Sequence, residues 1–274
     1  MINSFVDAKK QVEDRFPYQG YMDISTDSYI NIANTITKYL DPGAKILDFA
    51  SGPCDKTAII QSMGYQCSAF DDLQDDWHLI DNNRGKILEF ARSFGVDFKL
   101  ASEGYLPFEK NSFDMVMAHD VLEHLHDSPR DLLNDLAELI KPNGLLFITV
   151  PSAVNIKKRI EVLMGKTNLP DYAGYYWSQG PWRGHIREYA KNDLKELAEY
   201  IGFEVEELHG CHHMLHVVPK TVLPIYLSLT KLVPDFRDSW ILVARKPAVW
   251  EAKRKLSDSE YAQIIGKYSP YYLS

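Results

Sequence analysis

The sequence has no apolar run long enough to cross a bilayer, no paired cysteines, no basic block and no Gly-x-Gly-x-x-Gly turn. Each absence removes a class of function. A membrane-spanning helix needs about 20 predominantly apolar residues. The apolar stretch 217–233 is cut by Pro219 and Pro224, which favours ordinary packing over contact with a membrane. The three cysteines, Cys54, Cys67 and Cys211, form neither a disulfide framework nor a zinc knuckle. They fit a reducing cytoplasm, and the first ten residues lack the apolar core of a secretory signal. With 30 basic against 38 acidic residues the formal charge is −8, which disfavours nonspecific attraction to nucleic acid or anionic membranes. Without the dinucleotide fingerprint, a nicotinamide-dependent oxidoreductase is the weaker of the enzyme readings.

What is present suffices for a sizeable core: 45% of the residues are hydrophobic and 12% aromatic. The organising stretch runs from Ala44 to Cys54. An apolar run closes on Asp48, and Ala50, Ser51 and Gly52 carry little side chain, so the backbone there can approach a ligand closely. Pro53 suits the first position of a following helix, whose free amides favour an anionic group.

Around this turn, helical and strand-like segments alternate. A helix over 26–40 precedes the strand 45–50. Then come a helix at 56–63, a strand at 66–70 closing on Asp71-Asp72, a helix at 84–94 and a strand at 96–100. A further strand at 115–118 ends in His119-Asp120, a helix runs from Ser128-Pro129 to the turn Lys141–Gly144, and a strand occupies 145–150. This order predicts a parallel sheet with right-handed crossovers. Asp71, with Asp72 beside it, stands where a carboxylate accepts hydrogen bonds from a ribose diol. Residues 151–184 interrupt the alternation with Tyr172, Tyr175, Tyr176, Trp177 and Trp182, a candidate substrate lid or else an ordinary loop or dimer contact. A helix at 193–201 and strands at 203–208 and 239–244 follow, and the charged, tyrosine-rich end predicts an outer terminal helix.

Three segments, Ile46–Cys54, Leu106–Asp114 running into Val121-Leu122-Glu123-His124-Leu125, and Leu139–Leu146, together resemble the class I S-adenosylmethionine-dependent methyltransferases. Gly184–Tyr189 and Gly202–Val205 resemble the later part of that fold in its small-molecule branch. The resemblance implies an α/β fold with a Rossmann-like, seven-stranded, mostly parallel sheet and helices on both faces. It covers roughly residues 30–246, and the whole chain is expected to be one domain over 1–274: an N-terminal cap and helix (1–43), a cofactor-binding core (44–150), the aromatic insertion (151–184), the C-terminal part of the sheet (185–246) and a terminal helix or tail (247–274). It further implies S-adenosyl-L-methionine as cofactor, S-adenosyl-L-homocysteine as product, and methyl transfer to an O or N atom of a small molecule in a biosynthetic pathway. Neither nucleic acid nor membrane is an expected partner, and a homodimer is left open.

By the same resemblance, Asp48 and the turn residues Ala50, Ser51, Gly52 and Cys54 would hold the methionine end, and Asp71 with Asp72 the ribose. Ser102 and Glu103 would lie by the adenine and His119 near the methionine part. Where the family has Asp-x-Gly-x-Gly-x-Gly, this chain has Asp48, Ala50, Gly52 and Cys54. The Ala50 methyl restricts positive φ, which keeps a noncatalytic binding or scaffold protein as the alternative. Removal of an acceptor proton suits a histidine: His185, at the end of the insertion, is the first candidate and His119 the second, while His124 reads as structural. Tyr176, Trp177 and Trp182 are candidate substrate contacts, and Arg187 a candidate fork for an anionic group. His212, His213 and His216 lack a carboxylate at recognisable spacing, so no metal is expected.

Overall fold

Apolar runs bounded by turn residues become the strands of one sheet. The structure, a computed structural model, describes residues 4–101 and 106–264. The strands are β1 (Lys45–Phe49), β2 (Gln66–Asp71), β3 (Asp97–Leu100), β4 (Phe113–His119), β5 (Ile140–Pro151), β6 (Glu204–Cys211) and β7 (Ser239–Arg245), in the order β3-β2-β1-β4-β5-β7-β6. The first five are mutually parallel, and β7 runs antiparallel to both β5 and β6. Predicted parallel strands therefore pair as expected, and the last strand enters in reverse.

Both faces of the sheet are covered, and the period-two alternation of the central strands shows it. Ile46, Met115, Met117, Ile241 and Val243 belong to one buried cluster, while Leu47, Val116, Ala118, Trp240 and Leu242 belong to the other. Helices α1 (Phe5–Glu13), α2 (Thr26–Tyr39) and α3 (Asp55–Ser62) send residues such as Val12, Ile32 and Ile59 into the first cluster, as does Phe90, which lies beyond the short α4 (Asp76–Leu79) in α5 (Asn83–Ser93). Helix α6 (Arg130–Leu139) buries Leu133, Leu136 and Ala137 in the second. Next come α7 (Ile156–Leu163) and α8 (Tyr172–Tyr176), which bury none of their residues. Helix α9 (Lys191–Tyr200) packs Leu194, Leu197 and Ala198 beneath β7, and α10 (Leu223–Leu232) and α11 (Asp258–Ile264) complete the described chain. Among the described residues no helix is long and apolar enough to cross a membrane.

Two local expectations need correction. The helix after β1 begins at Asp55, and its cap is Cys54 in a left-handed conformation (φ 67°), so Pro53 lies in the turn and not at the first helical position. β5 continues through the predicted Lys141–Gly144 turn: Ile140 pairs with Phe113 and Leu145 with Met115, and an irregularity with Asn143 at φ 64° absorbs the extra residues. Ahead of Pro17, residues 5–13 form α1, whose Ala8 and Val12 are fully buried.

Candidate functional site

The carboxyl ends of β1, β2 and β4 open on one edge of the sheet, where ligands of open α/β sheets bind. After Phe49 the chain turns left-handed three times, at Ala50 (φ 56°), Gly52 (φ 54°) and Cys54 (φ 67°). Ala50 therefore adopts the conformation its methyl opposes, at a cost of about 1 kcal/mol. The Ser51 amide donates to the Phe70 carbonyl at 3.2 Å, and the Gly52 amide to Asp71 Oδ2 at 2.8 Å. Asp71 Oδ1 accepts from the Leu73 amide at 2.7 Å, so one carboxylate ties the β1 turn to the end of β2. A carboxylate has about four acceptor sites, and these two bonds leave others for a ligand. Burial raises the Asp71 pKa, opposed by the two amide bonds.

A Cβ on Gly52 would meet nothing within 4 Å, so the turn borders open space. The buried Ser51 hydroxyl has no hydrogen-bond partner among the described residues. Beneath the turn, the buried Asp48 accepts from Thr57 Oγ1 at 2.6 Å, and burial pushes its carboxyl up to about 6. Asp72 is exposed and accepts from the Gln74 amide at 2.9 Å, a local turn that leaves Asp71 as the carboxylate of the crevice. Ser102 and Glu103 lie outside the described residues.

Sequence reasoning missed His78. It is buried in α4, its pKa is lowered by that burial and raised in part by Asp71, and neither ring nitrogen has a partner among the described residues. A histidine in an acidic, aperiodic loop carries no sequence signal of burial. The N-terminal segment reaches this region as well: Tyr18 stacks edge-on to Trp77 at 5.4 Å, Tyr21 lies 6.2 Å from the same ring, and Tyr29 donates to Asp55.

A second group forms at the end of β4. His119 is buried, with Nδ1 3.1 Å from Thr149 Oγ1 and Nε2 without a partner among the described residues. Burial, then Lys56 and His213, hold its pKa well below the ordinary value, so the ring is neutral. Asp120 follows in a left-handed conformation (φ 56°), with Oδ2 3.8 Å from Lys56 Nζ and 3.7 Å from His213 Nδ1. The Glu123 carboxyl is pushed up to about 8 by burial and by Asp120.

The end of the insertion is clamped against this group, the Ile186 amide donating to the Glu123 carbonyl at 2.6 Å. His185 Nδ1 lies 2.8 Å from Glu188 Oε1, and His124 Nδ1 lies 2.8 Å from the Arg183 carbonyl, with the two imidazoles edge-on at 5.0 Å. His124, expected to be structural, thus stands in the same group as His185. Burial lowers the His185 pKa and keeps the ring neutral near pH 7.

Beside His185 is a cavity of about 890 Å³, lined by Lys157, Lys158, Tyr172, Trp182 and Glu188 among others. Trp182 belongs to its wall and donates to the His185 carbonyl at 3.2 Å. A Cβ on Gly184 would come within 2.1 Å of the Trp182 ring, so this glycine permits the stacking. Tyr176 and Trp177 are 61% and 77% exposed and lie outside that wall. Arg187 pairs with Asp193 at 3.6 Å and lies 6.0 Å from the Tyr189 ring centroid; it is not part of this wall but lines, with His185 and Glu188, an adjoining cavity of about 210 Å³. His212 is used internally, 3.4 Å from the Tyr226 hydroxyl and 3.2 Å from that of Thr230.

Comparison with known proteins agrees with this architecture. A family model described as a methyltransferase domain matches residues 24–208. Over 123 residues the chain is 27% identical to a probable S-adenosylmethionine-dependent methyltransferase of Mycolicibacterium smegmatis, covering 45% of this chain and 41% of that protein. Over 109 residues it is 31% identical to a demethylmenaquinone methyltransferase of Corynebacterium efficiens, covering 40% of this chain and 42% of the relative. The matches thus span about two fifths of each curated relative. Among solved structures, the [4+2]-cyclase SpnF aligns with a TM-score of 0.52 at 16% identity, covering 80% of this chain and 82% of the other, a likeness of fold alone.

Proposed function

This chain belongs to the class I S-adenosylmethionine-dependent methyltransferases, and from that premise we propose that it transfers a methyl group from S-adenosylmethionine to an oxygen or nitrogen atom of a small molecule. The observation that carries the proposal is the β1–β2 crevice, where a left-handed turn borders open space, Ser51 has an unused hydroxyl, and Asp71 faces the turn with acceptor capacity to spare. When bound, the cofactor supplies a methyl group already activated by a sulfonium.

The chain's residues divide the binding between them. The turn at Ala50, Ser51, Gly52 and Cys54 takes the methionine carboxylate, and the buried Asp48 lies beneath the ammonium side. Asp71 takes the ribose diol, Asp72 bounds its loop toward solvent, and Ser102 and Glu103 are assigned to the adenine. Neutral His119 lies under the methionine part. On the acceptor side, His185 is oriented by Glu188, and Trp182 supplies a flat wall. His185 Nε2, on the far side of the ring from the Glu188 bond, acts on the acceptor either as a base or as a ligand, and the neighbours of that atom decide which. The remaining contribution is alignment at near-attack distance and exclusion of water. Three buried thiols suit a reducing compartment, and we place the protein in the cytoplasm, in small-molecule biosynthesis.

Calorimetric titration with S-adenosylmethionine, S-adenosylhomocysteine and NADH tests the proposal. Micromolar binding of the first two, lost in Asp71→Ala, is expected. Binding of NADH alone would transfer the chain to the oxidoreductases, and binding of none by folded protein would leave a noncatalytic scaffold. Since one fold serves many reactions, acceptor-dependent formation of S-adenosylhomocysteine is the second readout.

A further inference from the structure

We infer that Glu123, His124 and His185 form a binding site for one divalent transition-metal ion at the acceptor end of the crevice. One ligand atom from each of the three lies within 4.8 Å of the others. At metal–nitrogen distances of about 2.0–2.1 Å, neighbouring ligand atoms of a tetrahedral site stand about 3.3 Å apart. The group therefore has to contract by up to about 1.5 Å, and His124, whose side chain is 42% exposed, has room to turn inward.

The surroundings of the three side chains separate this site from a chance cluster. Glu123 is 1% exposed and its Oε2 has no partner among the described residues. The carboxyl's backbone hydrogen bond comes from its own amide, and Oε2 is left without a donor or an acceptor, whereas a cation satisfies that oxygen directly. Both imidazoles are set up as metal ligands are: His185 Nδ1 is held by the Glu188 carboxylate and His124 Nδ1 by the Arg183 carbonyl, each at 2.8 Å. Such partners fix the tautomer and leave the other ring nitrogen its lone pair. Two imidazoles and one carboxylate suit Zn²⁺, Mn²⁺, Fe²⁺ or Co²⁺ better than Mg²⁺ or Ca²⁺.

Three protein ligands leave coordination positions open. His185 also lines the cavity of about 890 Å³, so those positions adjoin the space assigned to the acceptor. This last step rests on the methyl-transfer reading: the acceptor is a hydroxyl, phenol or enol whose oxygen replaces a metal-bound water, the cation lowers its pKa so that its proton is lost to solvent, and the oxygen then bonds to the methyl carbon as the S–CH3 bond breaks and leaves its electron pair on sulfur. His185 Nε2 is then a ligand and not the base.

The test uses the full chain stripped with a chelator and titrated with Co²⁺, followed by its visible absorption, and with Zn²⁺ by calorimetry. One equivalent is expected to bind, at least about 100-fold more weakly in His185→Ala and Glu123→Gln, and about 10-fold more weakly in Glu188→Gln. His216→Ala, at an exposed position, is expected to bind as the wild type does. Each variant is also melted and titrated with S-adenosylmethionine. A His185→Ala protein that keeps the cofactor and loses the Co²⁺ spectrum supports the site. Absence of a Co²⁺ spectrum in the wild type, or equal affinity in His185→Ala, overturns it. Cofactor binding without metal binding overturns the site alone, and metal binding without cofactor binding overturns only the methyl-transfer reading.

Discussion

The two ends of the crevice are built from different materials. At the β1–β2 end the site is mostly backbone: three left-handed residues within five, amides aimed at one carboxylate, and a glycine bordering open space. At the β4 end it is entirely side chain: Glu123 and His124 from the loop after the strand meet His185 from the far end of an insertion. A backbone site tolerates few substitutions but can be written in a short run of sequence. A side-chain site depends on where distant segments land.

The comparison breaks first, and by the largest amount, at Asp48. Its carboxyl stands at about 6 against an ordinary 3.8, because burial costs more than Thr57 and Lys56 return. Between those values the folded state binds more protons than the unfolded one, so this group's contribution to stability falls as pH rises and is fully lost above about 6. The difference corresponds to about 3 kcal/mol at pH 7. Asp48→Asn, which keeps an acceptor for Thr57, is expected to be more stable by up to that amount in urea melts at pH 7. The advantage should vanish near pH 3.5. An unchanged or lowered midpoint at pH 7 would show that the charge is compensated in the fold and not held there for a ligand.

Gly52→Val comes next. A β-branched residue at φ 54° costs about 1–2 kcal/mol of stability, and its side chain fills the space over the turn. S-adenosylmethionine affinity is expected to drop about 100-fold, or about 2.7 kcal/mol, while the protein still melts cooperatively. Retained affinity would move the cofactor away from this turn.

The difference in materials also explains what could be read from the sequence. Small residues after an apolar run ending in Asp48, and a strand closing on Asp71, sit within one βαβ unit, and the structure joins them through the Gly52–Asp71 bond. The strand segments were legible as apolar runs, except that β5 ran on through Lys141–Gly144, whereas the order of the strands in the sheet was not. The meeting of Glu123 with His185 follows from the clamp on the Glu123 carbonyl, which accepts from the Ile186 and Arg187 amides, a pair of backbone bonds that no periodicity encodes. Aromatic composition marked the insertion correctly as unusual but could not separate Trp182, packed over Gly184 at the cavity wall, from Trp177, which faces solvent.

That separation gives the third prediction. Trp182→Ala removes part of the cavity wall and the bond to the His185 carbonyl, and is expected to raise acceptor KM about 10-fold, or about 1.4 kcal/mol. Trp177→Ala is expected to stay within about 2-fold. Equal losses would mean that α8 closes over the acceptor and that the insertion acts as a lid.

The smallest effect is expected at Arg187, and it tests the comparison from outside the larger cavity, in the wall of the smaller one beside it. Its side chain is 67% exposed, its pairing with Asp193 is 3.6 Å long, and its guanidinium lies 6.0 Å from the Tyr189 ring centroid. Exposed pairs of this kind contribute about 0–1 kcal/mol, because solvent screens the charges and ordering two long side chains costs entropy. Arg187→Ala is therefore expected to shift stability by less than about 0.5 kcal/mol and to leave acceptor KM unchanged in steady-state assays. A clear rise in KM, reversed for an uncharged acceptor, would show that the substrate carries an anion reaching past the cavity rim. The acceptor end would then extend along the start of α9, and its boundary would be set by charge instead of by the Trp182 wall.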